Sequence, residues 1–372
     1  MTDAPWFLVS KPLRSPFGDG SSVLVRSLVE SMPPTQRFTY FGDPRHPLRE
    51  GAGDRVVHRA PMGHAPSMRA KISVLAELLR PTHRRAGLHF FFTPNGVTSR
   101  VVRALRMTGP RRSVVQNVMS SDGIERMVPH LRGLDAIVTL SEHTRERIVG
   151  AGLAPEDVVR IYPGVTPGEP AGGEVPRVLL YAGDLDPVTA RRLIACARSL
   201  PTEPGDAWRL VMACRPKGEG DAAARSLLKE ALKPQLDSGQ VELLGHVDDF
   251  GALVRSCGCQ LFVADHVRKK VDLPLAVLEG LAQGLGLLAL DFRPLNEIFD
   301  VADRHGLEVG ARLPLDADDE HLGREFRAAL PTETTANRWR ADAHALIAAH
   351  FSSRRLATEY QTLYGRLDEQ HR

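Results

Sequence analysis

The feature that most limits what this chain can fold into is an alternation of short apolar segments with amphipathic ones, run through twice. In the first run WFLVS, RFTYF, RVVH, LHFFFT, SVVQN, DAIVTL and VVRIY read as strands. SSVLVRSLVESM, SMRAKISVLAELL, VTSRVVRALRM and EHTRERIVGAG between them have helical periodicity. PGVTPGEPAGGEVP then breaks the pattern, rich in Pro and Gly as an interdomain linker is. The second run sets strands RVLLYAG, WRLVMACR, VELLG, CQLFVAD and LGLLALDF among helices TARRLIACARSL, DAAARSLLKEALKPQL, FGALVRSC and one opened by Pro274. Such alternation produces parallel sheets with helices on both faces.

The chain is therefore expected to be α/β, with two Rossmann-like doubly wound domains. The first spans 1–162, a linker 163–176, and the second 177–350. Two closing helices, TTANRWRADAHALIAAH and SSRRLATEYQTLYGRL, have no strand between them. They fall outside the alternation and are expected to pack across the domain junction, with residues 351–372 returning to the first domain.

A length of 372 residues allows two full cores. Hydrophobic and charged fractions of 42% and 25% exclude disordered and collagen-like classes. No apolar run approaches the ~18 residues of a spanning helix, and MTDAPWFLVSKP has no basic region before its apolar part. A cytoplasmic protein is expected. Its four cysteines, Cys196, Cys214, Cys257 and Cys259, lie on apolar segments without zinc spacing and read as core residues. The net charge of +3 hides an asymmetry: residues 1–165 hold 23 Lys and Arg against 14 Asp and Glu, and the remainder is net −6. A basic first half suits an anionic lipid surface or an anionic acceptor.

Ligands of doubly wound sheets sit at the carboxyl ends of the strands. In the first half that edge comprises the loops Lys11–Ser22, Thr93–Thr98, Gln116–Gly123 and Ser141–Thr144. Gly18 and Gly20 flank Asp19 and let backbone approach a ligand, while Ser21 or Ser22 can cap the next helix. In the second half two basic loops follow strands: ACRPKGEGD, with Arg215 and Lys217, and DHVRKKVD, with Arg268, Lys269 and Lys270. They could neutralise a diphosphate, or be solvated surface charge.

The second basic loop runs into RKKVDLPLAVLEGLAQG, where Pro274 opens a helix and Gly284 closes it. Leu275, Leu278 and Ala282 share a face. Glu279 either lies on the exposed side without a role, or accepts two hydroxyls of a ligand whose phosphates meet the helix N-terminus. GxGxxG after a first strand, a P-loop, a GxSxG elbow and a His pair at metal spacing are all missing from the sequence, which disfavours nicotinamide dehydrogenases and other familiar classes.

FLVSKPLRSPFGDGSSVLVRSLVE, DAIVTLSEHTRERIVGAGL with VVRIYPGV, DLPLAVLEGLAQGLGLLALDFRPLNEI and HALIAAHFSSRRLATEYQTLY resemble, in that order and spacing, the GT-B glycosyltransferases of the large retaining family 4 (glycosyl transferases group 1). The resemblance covers nearly the full length. It implies two domains facing a central cleft, the first binding a glycan or glycolipid acceptor and the second a nucleotide-diphosphate sugar of UDP or GDP type. It implies that Glu279 holds the ribose hydroxyls. Leu273, Pro274 and Leu275 with Arg215 and Lys270 would hold the diphosphate, Lys217 in support and Asp272 adjacent. Gly18, Asp19 and Gly20 would lie near the reacting sugar. A retaining hexosyl transfer of this kind uses no obvious protein nucleophile, needs no cofactor or metal, and leaves Arg215 and Lys270 as the catalytic candidates. Nucleic acid is not an expected partner.

The chain departs from that family in three places. Val271 stands where the family commonly has a Glu, eight positions before Glu279. Asp184 and Thr189 stand where an Arg and a Lys are usual. QNVMSSDG stands where a His is usual, so Gln116, Asn117 or Ser120 would have to meet the sugar. These losses keep a catalytically degenerate scaffold or partner subunit open as an alternative, with a GT-B phosphorylase or epimerase behind it. A peripheral membrane contact is a separate expectation, since SMRAKISVLAELLRPTHRR is basic and amphipathic and Arg100, Arg103 and Arg106 follow it.

Overall fold

The apolar segments become the strands of two parallel sheets. The computed structural model describes residues 5–15, 17, 19–59, 67–108, 112–169, 173–203, 205–216, 219–267 and 271–370. They divide into two units. The first takes the chain up to Gly164, the short stretch ending at Asp272, and everything from Phe351; the second takes the rest.

In the first unit the elements follow as β1 (Trp6–Leu13), α1 (Gly20–Ser31), β2 (Phe38–Gly42), β3 (Arg55–His58), α2 (Met68–Leu78), β4 (Gly87–Phe90) and α3 (Gly96–Thr108). Then come β5 (Val114–Val118), α4 (Ile124–Leu131), β6 (Ala136–Thr139), α5 (Glu142–Gly150) and β7 (Val158–Arg160). The sheet order is β3-β2-β1-β4-β5-β6-β7, parallel at every ladder. A parallel sheet is buried on both faces, so its strands are apolar throughout rather than alternating. Accordingly Trp6, Phe7, Leu8 and Val9 are all buried. One face packs against α1 through Val25, Leu28 and Val29. The other packs against α2, α3, α4 and α5 through Leu78, Val102, Leu105, Met127 and Ile148. Helix α4 was not expected; it buries Ile124, Met127, Val128 and Leu131 and carries Pro129 inside its last turn.

The second unit runs β8 (Val178–Ala182), α6 (Pro187–Arg198), β9 (Arg209–Ala213), α7 (Glu219–Ala231), α8 (Lys233–Asp237), β10 (Val241–Leu244), α9 (Phe250–Arg255), β11 (Cys259–Phe262), α10 (Leu275–Ala282) and β12 (Gly286–Leu290). It ends with α11 (Glu297–Arg304), β13 (Gly310–Leu313), α12 (Asp319–Ala329) and α13 (Glu333–Leu346). Its sheet order is β10-β9-β8-β11-β12-β13, again all parallel. All four cysteines are free and buried in this unit, and burial pushes the thiols of Cys214 and Cys259 up to about 12.

A π-helical turn, Ile347–Phe351, leads into α14 (Ser353–Gln370), which returns to the first sheet. Tyr364 of α14 stacks on Trp6 with ring centroids 4.0 Å apart. Leu356, Tyr360, Leu363 and Leu367 join the same core as α1 and β1.

Candidate functional site

Strand order fixes where each sheet can hold a ligand. In the second unit β8 leads outward to β9 and β10 on one side, and β11 leads to β12 and β13 on the other. The loops leaving the carboxyl ends of β8 and β11 therefore diverge, and this switch point is where open α/β sheets bind ligands.

The loop after β8 is held by the Asp184 carbonyl and the Asp186 carboxylate. The buried Tyr181 hydroxyl donates to the Asp184 carbonyl at 2.6 Å. Asp186 caps α6, accepting from Val188 N at 2.9 Å, Thr189 N at 3.0 Å and the Thr189 hydroxyl at 2.8 Å. Burial opposes ionisation of Asp186, but these donors outweigh it and its pKa lies below the usual value. Thr189 is fully buried in this cap. The positions of Asp184 and Thr189 thus serve the local turn and the helix start. Arg192, one turn into α6, places its guanidinium 3.4 Å from the Val263 carbonyl and 3.2 Å from Asp265, both just beyond β11. Sequence reasoning missed Arg192, because an Arg within a helix gives no sign that it reaches a neighbouring strand.

The loop after β11 leads into α10. Pro274 occupies the N-cap position and no side chain caps the first turn. Having no N–H, Pro274 cannot donate to a phosphate; the neighbouring amides of Leu273 and Leu275 can. The Leu273 side chain is fully buried, and Val277, Leu278, Leu281 and Ala282 carry the buried face of α10. Gly280 lets the helix press on β11: a Cβ there would lie 2.4 Å from Gln260 Oε1, while Gln260 Nε2 donates to the Val277 carbonyl at 2.9 Å. Leu275, Ala276 and Glu279 are each half-buried and lie on one stripe at helical spacing. Glu279 is therefore on the accessible side of α10, one turn from its uncapped end. Gly284 ends the helix with φ +81°, the left-handed conformation glycine accommodates.

Arg215 is exposed just beyond β9. Since β8 separates β9 from β11, Arg215 leaves the sheet edge about 10 Å from the β11 loop, within reach of a long side chain. Lys217 and Lys270, like Gly18, lie outside the described residues. Among the described residues, no group of three or more His, Cys, Asp and Glu side chains is placed to hold a metal ion.

The first unit treats its candidates differently. Asp19, not Ser21 or Ser22, is the N-cap of α1. Its carboxylate accepts from Ser22 N at 3.0 Å, from the Ser22 hydroxyl at 3.1 Å and from the Ser21 hydroxyl, and it pairs with Lys11 at 3.3 Å. Burial works against the charge, yet these partners hold the Asp19 pKa below the usual value. At Gly20 a Cβ would meet Val271 Cγ2 at 2.9 Å, so the missing side chain there makes room for Val271. Val271 itself fills an apolar cluster with Leu24 and Leu140, in which a carboxylate would have no partner.

Asp272 is fully buried, and its carboxylate is taken up by the protein. It accepts from Ser121 N at 2.7 Å, from the Ser141 hydroxyl at 2.6 Å and from the Thr144 hydroxyl. Burial is the strongest influence on Asp272 and raises its pKa, against the pull of Ser141, Thr144 and Ser121. Its own N–H donates to the Met119 carbonyl at 2.9 Å. The sequence placed Val271 and Asp272 with the donor helix. In the structure both are packed into the first unit.

Gln116 and Asn117 lie inside β5 rather than in the loop after it, each 1% exposed. Gln116 Nε2 donates to the carbonyls of Phe90, Phe92 and Asn117. Asn117 joins a buried network: its Oδ1 faces His89 Nε2 at 2.8 Å, its Nδ2 donates to Tyr360 at 3.0 Å, and His89 Nδ1 faces the Tyr364 hydroxyl at 2.7 Å. Neither side chain is presented to a ligand. Of the three residues expected on the sugar side, only Ser120 is half-buried, and its hydroxyl accepts from Asp122 N at 3.2 Å.

Two parallel sheets of seven and six strands, with a C-terminal helix returning to the first, make up the GT-B fold. Among solved structures the chain is similar to HepE of Anabaena in complex with UDP and glucose, with TM-score 0.71 and 11% identity over 98% of this chain and 100% of that one. It is also similar to a glycosyltransferase from Rickettsia africae (TM-score 0.69, 11% identity, 99% of each chain). A third is WaaG, a glycosyltransferase involved in lipopolysaccharide biosynthesis (TM-score 0.66, 13% identity, 97% of this chain and 99% of that one). No protein-family model matches the sequence, and no curated protein matches it.

Proposed function

We propose that this chain is a retaining glycosyltransferase that moves a hexosyl group from a UDP- or GDP-type sugar to a glycan or glycolipid. The observation that carries the proposal is the start of α10. An uncapped helix end at the switch point of the second sheet has a half-buried Glu279 one turn along its accessible stripe. Leu273 and Leu275 amides would meet the diphosphate and Glu279 the ribose hydroxyls. UDP bound by HepE, on the same fold at low identity, supports that choice of ligand class.

In the proposed step the bond from sugar C1 to the diphosphate oxygen breaks and an acceptor hydroxyl oxygen bonds to C1 on the same face. The hydroxyl proton passes to the departing phosphate oxygen, and the nucleoside diphosphate leaves. Cations of the chain, rather than a metal, would carry the leaving charge: Arg215 and Lys270, with Lys217 beside them. Asp272 serves by position only, since its carboxylate is committed to Ser121, Ser141 and Thr144.

A degenerate scaffold is the second reading, favoured by Asp184 and Thr189, which stand where the family's cations would be and instead serve the turn and the Asp186 cap. Incubation with UDP- and GDP-sugars separates the two. Release of nucleoside diphosphate, lost in Arg215→Ala, supports the enzyme; no thermal shift with UDP or GDP supports the scaffold.

A further inference from the structure

We propose that the edge of the first unit formed by the amino ends of β4 and β5 docks on an anionic lipid bilayer. Residues 55–121 contain twelve Lys and Arg and a single acid, Glu77. That acid is buried and already paired with His83 and Arg80. The same stretch holds Ile72, Leu79, Val97 and Met107, four of the six large hydrophobic residues exposed among the described residues, with Met107 at 80%.

The fold brings part of this stretch to one edge. In a parallel sheet the connecting helices run back toward the amino ends of the strands. Three contacts place the ends of α2 and α3 there. The Arg112 guanidinium, just before β5, donates to the Leu78 carbonyl at 3.3 Å. Arg84 lies close enough to Arg112 for their like charges to be felt. Arg106 pairs at 2.8 Å with Asp135, which also receives the Val114 N–H. Leu79 and Met107 are therefore flanked at this edge by Arg80, Arg84, Arg85 and Arg103, all exposed. Asp368 and Glu369, at the end of α14, border it on the other sheet face, where Ser113 donates to the Leu367 carbonyl.

Basic side chains around exposed apolar ones match an anionic bilayer, whose headgroups attract the charges while its acyl boundary takes the apolar tips. A soluble polyanion would reward the arginines but not Leu79 or Met107. No helix among the described residues is long and apolar enough to cross a membrane, so contact would be peripheral. The edge lies at the opposite end of the strands from the loops that carry ligands, so docking need not obstruct them. This inference rests on the proposed transfer only for the purpose of docking.

The test is co-sedimentation of the full chain with vesicles of phosphatidylcholine alone or mixed equally with phosphatidylglycerol, beside heparin binding and a UDP thermal shift. Binding to the mixed vesicles, weakened by salt, is expected. Arg84→Glu with Arg103→Glu should reduce it roughly tenfold. Leu79→Ser with Met107→Ser should reduce it at high salt, where charge attraction is screened. Both variants should keep the wild-type melting temperature and UDP response. No sedimentation at low salt, or heparin binding without vesicle binding, overturns the docking surface. A lost UDP response with vesicle binding intact would instead count against the transferase.

Discussion

The Ser141 hydroxyl donates to the Asp272 carboxylate at 2.6 Å, joining residues 131 positions apart in sequence. Ser141 is the N-cap of α5 and Thr144 lies in its first turn, so Asp272 sits at the positive end of that helix. Asp272→Ala leaves a backbone N–H and two hydroxyls without their acceptor in a buried place. A loss of about 2–4 kcal/mol is expected in urea unfolding. An unchanged midpoint would show that the site refills with water and anchors nothing.

The raised Asp272 pKa gives the same residue a pH signature. The folded state holds its proton to higher pH than the unfolded chain, which releases it near 3.8. Its contribution is therefore greatest below that value and falls as pH rises toward the folded pKa. The stability advantage of wild type over Asp272→Asn should shrink as pH climbs from 3.8. An advantage that grows with pH would contradict the assignment.

His89 should act in the opposite sense. Full burial lowers its pKa from 6.5 to about 3, so folding keeps the ring neutral among Asn117 and Tyr364. The stability it supports is complete above 6.5 and drains away as pH falls from 6.5 toward 3, at about 1.4 kcal/mol per pH unit. His89→Gln removes that slope. Chemical denaturation at a series of pH values would settle the point, and equal slopes in both proteins would refute it.

Gly280→Ala tests how closely α10 must press on β11. The added Cβ would displace Gln260, which is 5% exposed and bonded to Val277. A destabilisation of about 1–3 kcal/mol is expected, with weaker nucleotide binding because the helix start moves. A wild-type melting curve and affinity would mean that Gln260 finds another rotamer at no cost.

The strand–helix alternation was legible because parallel strands buried on both faces are apolar in every position, as Gly286–Leu290 shows. Helix α4 was not, although Ile124, Met127, Val128 and Leu131 recur at helical spacing, because it is only eight residues long and carries Pro129. Glu279 could be singled out because a carboxylate on an apolar helix stands out. Gln116 and Asn117 misled for the converse reason. Polar residues at the end of an apolar strand look like loop residues, and only partners from elsewhere explain their burial: the Phe90 and Phe92 carbonyls for Gln116, and His89 and Tyr360 for Asn117. Val271 and Asp272 depend on Met119, Ser121 and Ser141, too distant in sequence for any local pattern to reveal.

The most direct measurement is calorimetric titration of UDP and GDP into wild type and Glu279→Ala. Two hydroxyl hydrogen bonds to a carboxylate make a loss of roughly 10- to 100-fold in affinity the expected result, at unchanged melting temperature. Failure of wild type to bind either nucleotide, or equal binding by the variant, would contradict a nucleotide-sugar site at α10.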